Sequence, residues 1–158
     1  MHVLYVDDND AWRTIHAIQY LHKAGCTVAV AAHGQQALDY LRGPPATCPR
    51  PDLMLMDIAM PIMGGLEAAQ IIRTQAPFSI DPAICSTPIV GMCSTGLRAD
   101  HARFIAQGMD DILVKPWTVH DVRRLIAWWS RRQLLPRIGE GTVPRTAVAP
   151  IWRKRSRV

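Results

Sequence analysis

Residues 53–65 read LMLMDIAMPIMGG: a four-residue apolar run ends at an aspartate, which is followed by Met-Pro and a pair of glycines. A short apolar run without polar alternation is typical of a strand that is covered on both faces. Burial of Asp57 at the end of such a strand is costly unless the carboxylate is exposed, paired with a cation or used in chemistry. The segment therefore predicts a buried strand that delivers a functional carboxylate to one edge of a sheet.

Four more apolar runs read as buried strands, and helical patterns separate the five. The predicted strands cover residues 2–6, 26–31, 53–56, 89–92 and 112–114. The apolar spacing predicts helices around residues 11–25, 34–42, 66–72, 102–106 and 119–129, with Thr118 as the N-cap of the last helix. Strands and helices that alternate in this way predict an α/β fold with right-handed crossovers and a doubly wound parallel sheet.

Two connections are longer than the others and rich in proline. Residues 43–51 begin with Gly-Pro-Pro, a strong helix breaker, and residues 75–88 read QAPFSIDPAICSTP. We interpret both segments as surface insertions.

Acidic residues follow two of the predicted strands. Asp7 and Asp8 end the first strand and Asp57 ends the third, so that adjacent parallel strands would bring all three carboxylates to one edge. Three anions this close repel one another unless a cation lies among them, and oxygen ligands in a compact site suit Mg²⁺. Lys115 reaches the same edge at the end of ILVKP. The combination predicts phosphoryl transfer to Asp57, with Mg²⁺ on the two other acids and the lysine completing the clamp.

The segments LYVDDND, LMLMDIAMPIMGGLEAA, PIVGMCSTG and GMDDILVKPW together resemble the receiver domain of bacterial response regulators, in the same order. The resemblance covers about residues 1–130. The variety of receiver is one often fused to, or partnered with, hybrid histidine kinases. It implies a flavodoxin-like three-layer sandwich with five helices and five strands in the order 2-1-3-4-5.

The resemblance also implies a function for the acidic edge. A histidine kinase or a histidine phosphotransfer protein would donate a phosphoryl group to Asp57 in the cytoplasm. Mg²⁺ would be bound by the carboxylates of Asp7, Asp8 and Asp57 and by the backbone carbonyl of Ala59. Lys115 would contact the phosphoryl oxygens. Such a protein is a phosphoacceptor in signalling and not an enzyme, apart from Mg²⁺-dependent phosphorylation and dephosphorylation of itself.

The sequence departs from the receiver pattern at the residues that usually read out phosphorylation. Cys93 stands where Thr or Ser normally donates a hydroxyl to the phosphoryl group, and a thiol is a weaker donor. Ser94 could replace Cys93 as the phosphoryl-binding residue if the loop shifts by one position. Ile112 stands where Tyr or Phe usually forms the second half of the switch. We therefore expect phosphorylation to persist while its structural response is weaker.

The positive net charge belongs to the C-terminal segment. Residues 131–158 contain eight Lys/Arg and one acid, for a charge of +7, whereas residues 1–130 carry a net charge of −2. We expect 131–158 to be a flexible basic tail that is too short for a DNA-binding domain and could bind nucleic acid only weakly.

The remaining composition excludes several other classes of protein. The four cysteines include no Cys-x-x-Cys pair, which argues against a zinc site and for free thiols in a reducing cytoplasm. No apolar run is long enough to span a bilayer, and the first residues do not resemble a signal peptide.

A candidate partner surface lies on the last predicted helix. Trp129 continues the apolar stripe, so the adjacent Trp128 should be partly exposed beside Arg124 and Arg131. Exposed aromatics with arginines are enriched at interfaces. This face could mediate a homodimer or contact a partner, although an ordinary position at the edge of the core explains Trp128 equally well.

Three functions compete. The first is a single-domain receiver that is phosphorylated on Asp57 and signals by protein contact or phosphorelay. The second is a module of receiver fold that docks a partner independently of phosphorylation, because Cys93 and Ile112 are atypical. The third is an enzyme of similar fold, but an aspartate-nucleophile phosphatase would need a second acid at Ala59, and an FMN site would not place Asp7 and Asp8 against a phosphate. We favour the first.

Overall fold

Five parallel strands form the centre of the protein in the computed structural model, which describes residues 1–11, 18–94 and 98–134, without the side chains of 98–100 and 132–134. Their order is β2-β1-β3-β4-β5, and every neighbouring pair is parallel. This confirms the doubly wound sheet predicted from the sequence. The strands are β1 (His2–Val6), β2 (Thr27–Ala31), β3 (Leu53–Asp57), β4 (Ile89–Cys93) and β5 (Asp111–Val114).

Six helices are present in the described part of the chain, one more than the sequence predicted. The first predicted helix is seen at residues 10–11 and in α1, while the residues between them lie outside the described part. The helices are α1 (Ile18–Lys23), α2 (Gly34–Arg42), α3 (Gly65–Thr74), α4 (Pro82–Cys85), α5 (Arg98–Ala106) and α6 (Val119–Leu134).

Both faces of the sheet are covered, as the apolar strand sequences require. All five residues of β3 are buried. Leu53 and Leu55 belong to a core cluster with residues of α1 and α6, whereas Met54 and Met56 belong to a second cluster with residues of α2 and α3. The alternation of side chains along the strand divides one apolar run between two cores.

The short helix α4 corrects the interpretation of residues 75–88 as a surface insertion. Asp81 caps this helix because its carboxylate accepts a hydrogen bond of 2.9 Å from the Ala83 N–H, and Pro82 occupies the first turn. Phe78 and Ile84 are 1% and 3% exposed and belong to the core. The start signals were present in the sequence, but a single turn of helix has too few residues to show apolar periodicity.

The last helix begins as predicted and ends later than predicted. The Thr118 N–H donates to the Asp121 carboxylate at 2.8 Å, and the Asp121 N–H donates to the Thr118 hydroxyl at 3.3 Å. This reciprocal arrangement satisfies backbone donors that a helix start leaves unpaired. The helix continues to Leu134, four residues beyond the predicted domain end at 130, because no Gly or Pro interrupts it. The rest of the predicted tail, 135–158, lies outside the described residues.

The cysteines form no disulfide bond: all four lie in the described part of the chain and are present as thiols, as expected. No described helix has both the length and the apolar character needed to cross a membrane.

A buried arginine connects α3 with the start of β4 and the segment before β5. Arg73 donates to the carbonyl oxygens of Cys85, Thr87 and Gly108 at 2.6, 2.9 and 3.0 Å, and its Nη2 lies 2.6 Å from Asp110 Oδ2. The two side chains of this ion pair are only 7% and 12% exposed. Since removal of one member of a buried pair leaves an uncompensated charge, Arg73 should contribute strongly to stability.

We predict that Arg73→Met lowers the free energy of unfolding by about 3–5 kcal/mol, because Asp110 and three carbonyl groups lose their common donor. Chemical denaturation checks this result. Arg42→Met is the matched control: Arg42 pairs with Asp39 at 3.2 Å, but both side chains are about half exposed, so that the loss should be about 1 kcal/mol or less. Equal losses in the two variants would contradict the assignment.

Candidate functional site

Three carboxylates meet where β1 and β3 end. The two strands are neighbours, with Val6 paired to Met56, so the residues that follow in each chain reach the same edge. One oxygen from each of Asp7, Asp8 and Asp57 lies within 4.8 Å of the others. Asp7 is fully buried, Asp57 is 9% exposed and Asp8 is open to solvent.

The lysine predicted for this edge lies between two of the carboxylates. Lys115 Nζ is 2.8 Å from Asp7 Oδ2 and 2.6 Å from Asp57 Oδ2. The backbone N–H of Lys115 donates to the Cys93 carbonyl at 2.7 Å, which ties the end of β5 to the end of β4. The sequence prediction that Lys115 and the three acids share one site is thus confirmed as geometry.

Burial and charge oppose each other at Asp57. Burial raises the pKa of Asp57 above its ordinary value, the hydrogen bond and charge of Lys115 lower it, and the negative charge of Asp7 raises it further. The net effect is a raised pKa, so the folded protein binds this proton more tightly than the unfolded chain does. Ionised Asp57 therefore lowers stability above its raised pKa, and the loss is relieved as the pH falls to the ordinary value.

The pKa of Lys115 is also raised, but by a different cause and with the opposite effect on stability. Burial acts to lower the pKa of Lys115, but hydrogen bonds and attraction from Asp57 and Asp7 outweigh burial and raise the pKa. The ammonium thus contributes stability at every pH below its ordinary pKa, and this contribution is lost as the pH rises through the raised value. Lys115 thus pairs with two of the three carboxylates that meet at this edge.

The donor set fits a hard divalent cation. Carboxylate oxygens in a site open on one side are the ligands that Mg²⁺ takes while it keeps several waters. Asp8 provides a solvent-facing carboxylate, and Asp7 and Asp57 provide buried ones. The N–H of Ala59 donates to the Asp57 carboxylate, which holds the start of the loop after β3 against the site.

This loop has a constrained backbone. Ile62 has φ of +70°, an uncommon value for a β-branched residue, although its side chain is 79% exposed. Backbone hydrogen bonds hold this conformation. The N–H of Gly65 donates to the carbonyl oxygen of Ile58 at 3.1 Å, and the N–H of Gly34 donates to the carbonyl oxygen of Met63 at 3.0 Å. Strain next to a reactive group is common at functional sites.

The two atypical switch residues are both buried. Cys93, the last residue of β4, is 7% exposed and Ile112 in β5 is 8% exposed, and both belong to the core cluster on the α2 and α3 face. Ser94 is exposed, and residues 95–97 lie outside the described chain. Cys93 and Ser94 lie at the C-terminal end of β4, which is the neighbour of the strand that carries Asp57.

The proposed partner face is only partly exposed. Trp128 and Trp129 are both partly buried and pack against the core cluster on the α1 and α6 face, whereas Arg124 and Arg131 are exposed. Trp129 is therefore less deeply buried than its place in the apolar stripe suggested. Two adjacent residues point about 100° apart on a helix, so that both can lie at the edge of the core.

One residue at this site was missed by the sequence analysis. The Tyr5 hydroxyl donates to Asp7 Oδ2 at 2.9 Å, and the Asn9 N–H donates to Asp7 Oδ1 at 2.9 Å. Side chains at i and i+2 of a strand share a face, so a tyrosine two residues before a buried aspartate was the available signal.

We predict that Gly65→Ala displaces the backbone of Asp57 and lowers the free energy of unfolding by about 3 kcal/mol, as overpacking against rigid atoms does. A Cβ at Gly65 would lie 2.1 Å from the Asp57 carbonyl oxygen, whereas a Cβ at Gly64 would lie 3.0 Å from that of Ile58. Gly64→Ala is therefore the control and should lose much less. Chemical denaturation and the amide shifts of residues 57–59 measure both effects, and equal behaviour of the two variants would refute the prediction.

Comparison with known proteins agrees with this geometry. The sequence matches the family described as response regulator receiver domain over residues 3–127. It is 37% identical to transcription factor SKN7 of Saccharomyces cerevisiae over 79% of this chain and 18% of that protein. It is 34% identical to Regulator of RpoS of Escherichia coli K12 over 78% of this chain and 32% of that protein. The chain thus spans about a fifth and a third, respectively, of these relatives.

Solved structures give the same result. The receiver domain of sensor histidine kinase PA1611 from Pseudomonas aeruginosa, which has magnesium in its active site cleft, is 28% identical with a TM-score of 0.65, and the match covers 81% of this chain and 95% of that one. The Ssk1 receiver crystallised with the phosphotransfer protein Ypd1 of Saccharomyces cerevisiae matches at 26% identity and a TM-score of 0.71, over 87% and 94%. The acidic edge, the strand order and these matches agree, and the chain belongs to the response regulator receiver domain family of two-component signalling.

Proposed function

We propose that this protein accepts a phosphoryl group on Asp57 from a phosphohistidine of a kinase or phosphotransfer protein and transmits the signal by protein contact or phosphorelay. The observation that carries the proposal is the contact of Lys115 with Asp57 at 2.6 Å, at an edge that also holds Asp7 and Asp8. Signalling of this kind takes place in the cytoplasm, which suits a chain whose four cysteines form no disulfide bond.

The chemistry is a displacement at phosphorus. A carboxylate oxygen of Asp57 attacks the phosphorus of the phosphohistidine, the P–O bond forms as the P–N bond breaks, and the imidazole leaves with the electron pair. The ammonium group of Lys115 lies beside Asp57 Oδ2 and can move to contact the phosphoryl oxygens, where it would stabilise their negative charge. Mg²⁺ held by Asp7, Asp8, Asp57 and the Ala59 carbonyl would supply neutralisation of those oxygens. The protein itself contributes position and electrostatics.

Two relatives support the choice of donor. The Ssk1 receiver was crystallised with a histidine phosphotransfer protein, and the PA1611 receiver belongs to a sensor histidine kinase. Both receivers have the same fold as this chain and are more than one quarter identical to it in sequence. We therefore expect a phosphohistidine to be the donor for Asp57. Additional contact could come from the α6 face around Trp128, Arg124 and Arg131, either with a partner or with a second copy of the chain. The basic residues of 131–158 would add at most weak attraction to nucleic acid.

A second candidate is docking that does not depend on phosphorylation. It is favoured by the residues at the two usual switch positions, because Cys93 has a thiol in place of a hydroxyl and Ile112 has no aromatic ring that could move in response to a phosphoryl group. In that case the acidic edge would bind a cation without passing on a signal.

Incubation with acetyl phosphate and Mg²⁺, followed by intact mass measurement, tests the first candidate. We expect the mass of one phosphoryl group to be gained by the wild-type chain and by Asp39→Asn, which removes an exposed carboxylate of α2. Asp57→Asn should gain none, because it has no nucleophilic oxygen anion. No gain in the wild type would exclude phosphorylation by this donor and favour the docking module.

We further predict that Cys93→Thr enlarges the response to phosphorylation, because a hydroxyl is a stronger donor than a thiol. The measurement compares backbone amide shifts with and without beryllofluoride in the wild type and the variant. Cys26→Thr, a substitution of another buried cysteine, controls for the general effect of placing a hydroxyl in the core. Equal perturbations in the wild type and Cys93→Thr would contradict the prediction.

A further inference from the structure

The side chain of Tyr5 contacts the acidic edge, but the proposed chemistry assigns it no role. Its ring is fully buried in β1, and its hydroxyl donates to Asp7 Oδ2 at 2.9 Å. Lys115 Nζ contacts the same oxygen at 2.8 Å. The Tyr5 hydroxyl and Lys115 therefore both contact Oδ2 of Asp7, one of the two oxygens with which this carboxylate could bind a cation.

The other oxygen of Asp7 is also held in place. The Asn9 N–H donates to Oδ1 at 2.9 Å, from the segment that follows β1. The carboxylate is therefore fixed in rotation by a backbone donor on one side and by the Tyr5 hydroxyl with Lys115 on the other. Of these three donors only the lysine is expected to move toward a phosphoryl group, which leaves Tyr5 and Asn9 to orient Asp7.

The position of the Tyr5 hydroxyl is itself determined by packing. The ring of Trp117 meets the Tyr5 ring edge-on, with centroids 6.2 Å apart and an interplanar angle of 71°. Tyr20 of α1 meets Trp117 from another direction, at 5.9 Å and 67°. Trp117 is 2% exposed and lies two residues after Lys115. This aromatic row of Tyr5, Trp117 and Tyr20 thus connects β1, α1 and the segment that carries the lysine.

We propose that Tyr5 is a positioning residue for the cation of this site: its hydrogen bond to Oδ2 fixes the orientation in which the Asp7 carboxylate would hold Mg²⁺. The inference rests on the proposed function, because it assigns a role within the same Mg²⁺-dependent site. Partners that orient a metal-binding group typically change metal affinity 10–100-fold when they are removed. Tyr5 acts through Asp7 and does not contact the reacting atoms.

The test is Tyr5→Phe, which keeps the ring against Trp117 and removes only the hydroxyl. Mg²⁺ titration without any phosphoryl donor, followed by calorimetry or amide shifts, should give a dissociation constant about 10-fold higher than in the wild type. Tyr40→Phe is the matched control, since it also removes a tyrosine hydroxyl with two partners, His2 and the Pro49 carbonyl, neither of which belongs to the acidic edge. Its Mg²⁺ affinity should not change.

A second readout separates orientation from general weakening of the fold. With acetyl phosphate as donor, Tyr5→Phe should need about 10-fold more Mg²⁺ for half-maximal phosphorylation, yet reach the wild-type rate at saturating Mg²⁺. A dissociation constant within twofold of the wild type, or a wild-type chain that binds no Mg²⁺, would overturn the inference. Mg²⁺ binding that behaves as expected in a chain that gains no phosphoryl group would instead refute the proposed function alone.

Discussion

The ammonium group of Lys115 is the interaction on which the acidic edge depends. It lies between Asp7, which is fully buried, and Asp57, which is nearly so. Two carboxylates this close could not both remain ionised in a buried site without a cation. The hydrogen bond and charge of Lys115 lower the pKa of Asp57, but burial outweighs them and the pKa stays raised. The three carboxylates at this edge form an oxygen donor set of the kind that a divalent cation takes.

The backbone brings these groups together through close contacts that leave little room for change. The N–H of Lys115 is bound to the Cys93 carbonyl, which fixes the lysine relative to β4. On the opposite side, α3 begins so close to the Asp57 carbonyl that only glycine fits at position 65. Gly34 at the start of α2 also lies close to Met63 in the loop after β3, since a Cβ there would be 2.7 Å from the Met63 side chain. These close contacts fix the backbone of Lys115 and Asp57 relative to each other, and fixed positions of reacting groups are what catalysis by positioning requires.

The two unusual residues lie close to the acidic edge but belong to the core. Cys93 ends β4, and its carbonyl accepts a hydrogen bond from the N–H of Lys115, while its side chain and that of Ile112 belong to the core cluster on the α2 and α3 face. The aromatic row formed by Tyr5, Trp117 and Tyr20 adds an orienting contact to Asp7 from the α1 side.

The sequence by itself determined the strands, the alternation with helices and the edge at which Asp7, Asp8, Asp57 and Lys115 meet, because apolar runs and strand ends are local properties of the chain. It did not reveal α4, since one helical turn carries no periodic signal, nor the burial of Arg73 with Asp110, a contact between residues 37 positions apart. The hydrogen bond from Tyr5 to Asp7 and the lack of space for a Cβ at Gly65 were likewise decided by tertiary structure. Such contacts depend on how elements pack in three dimensions, and no spacing along the chain encodes the distance between two packed atoms.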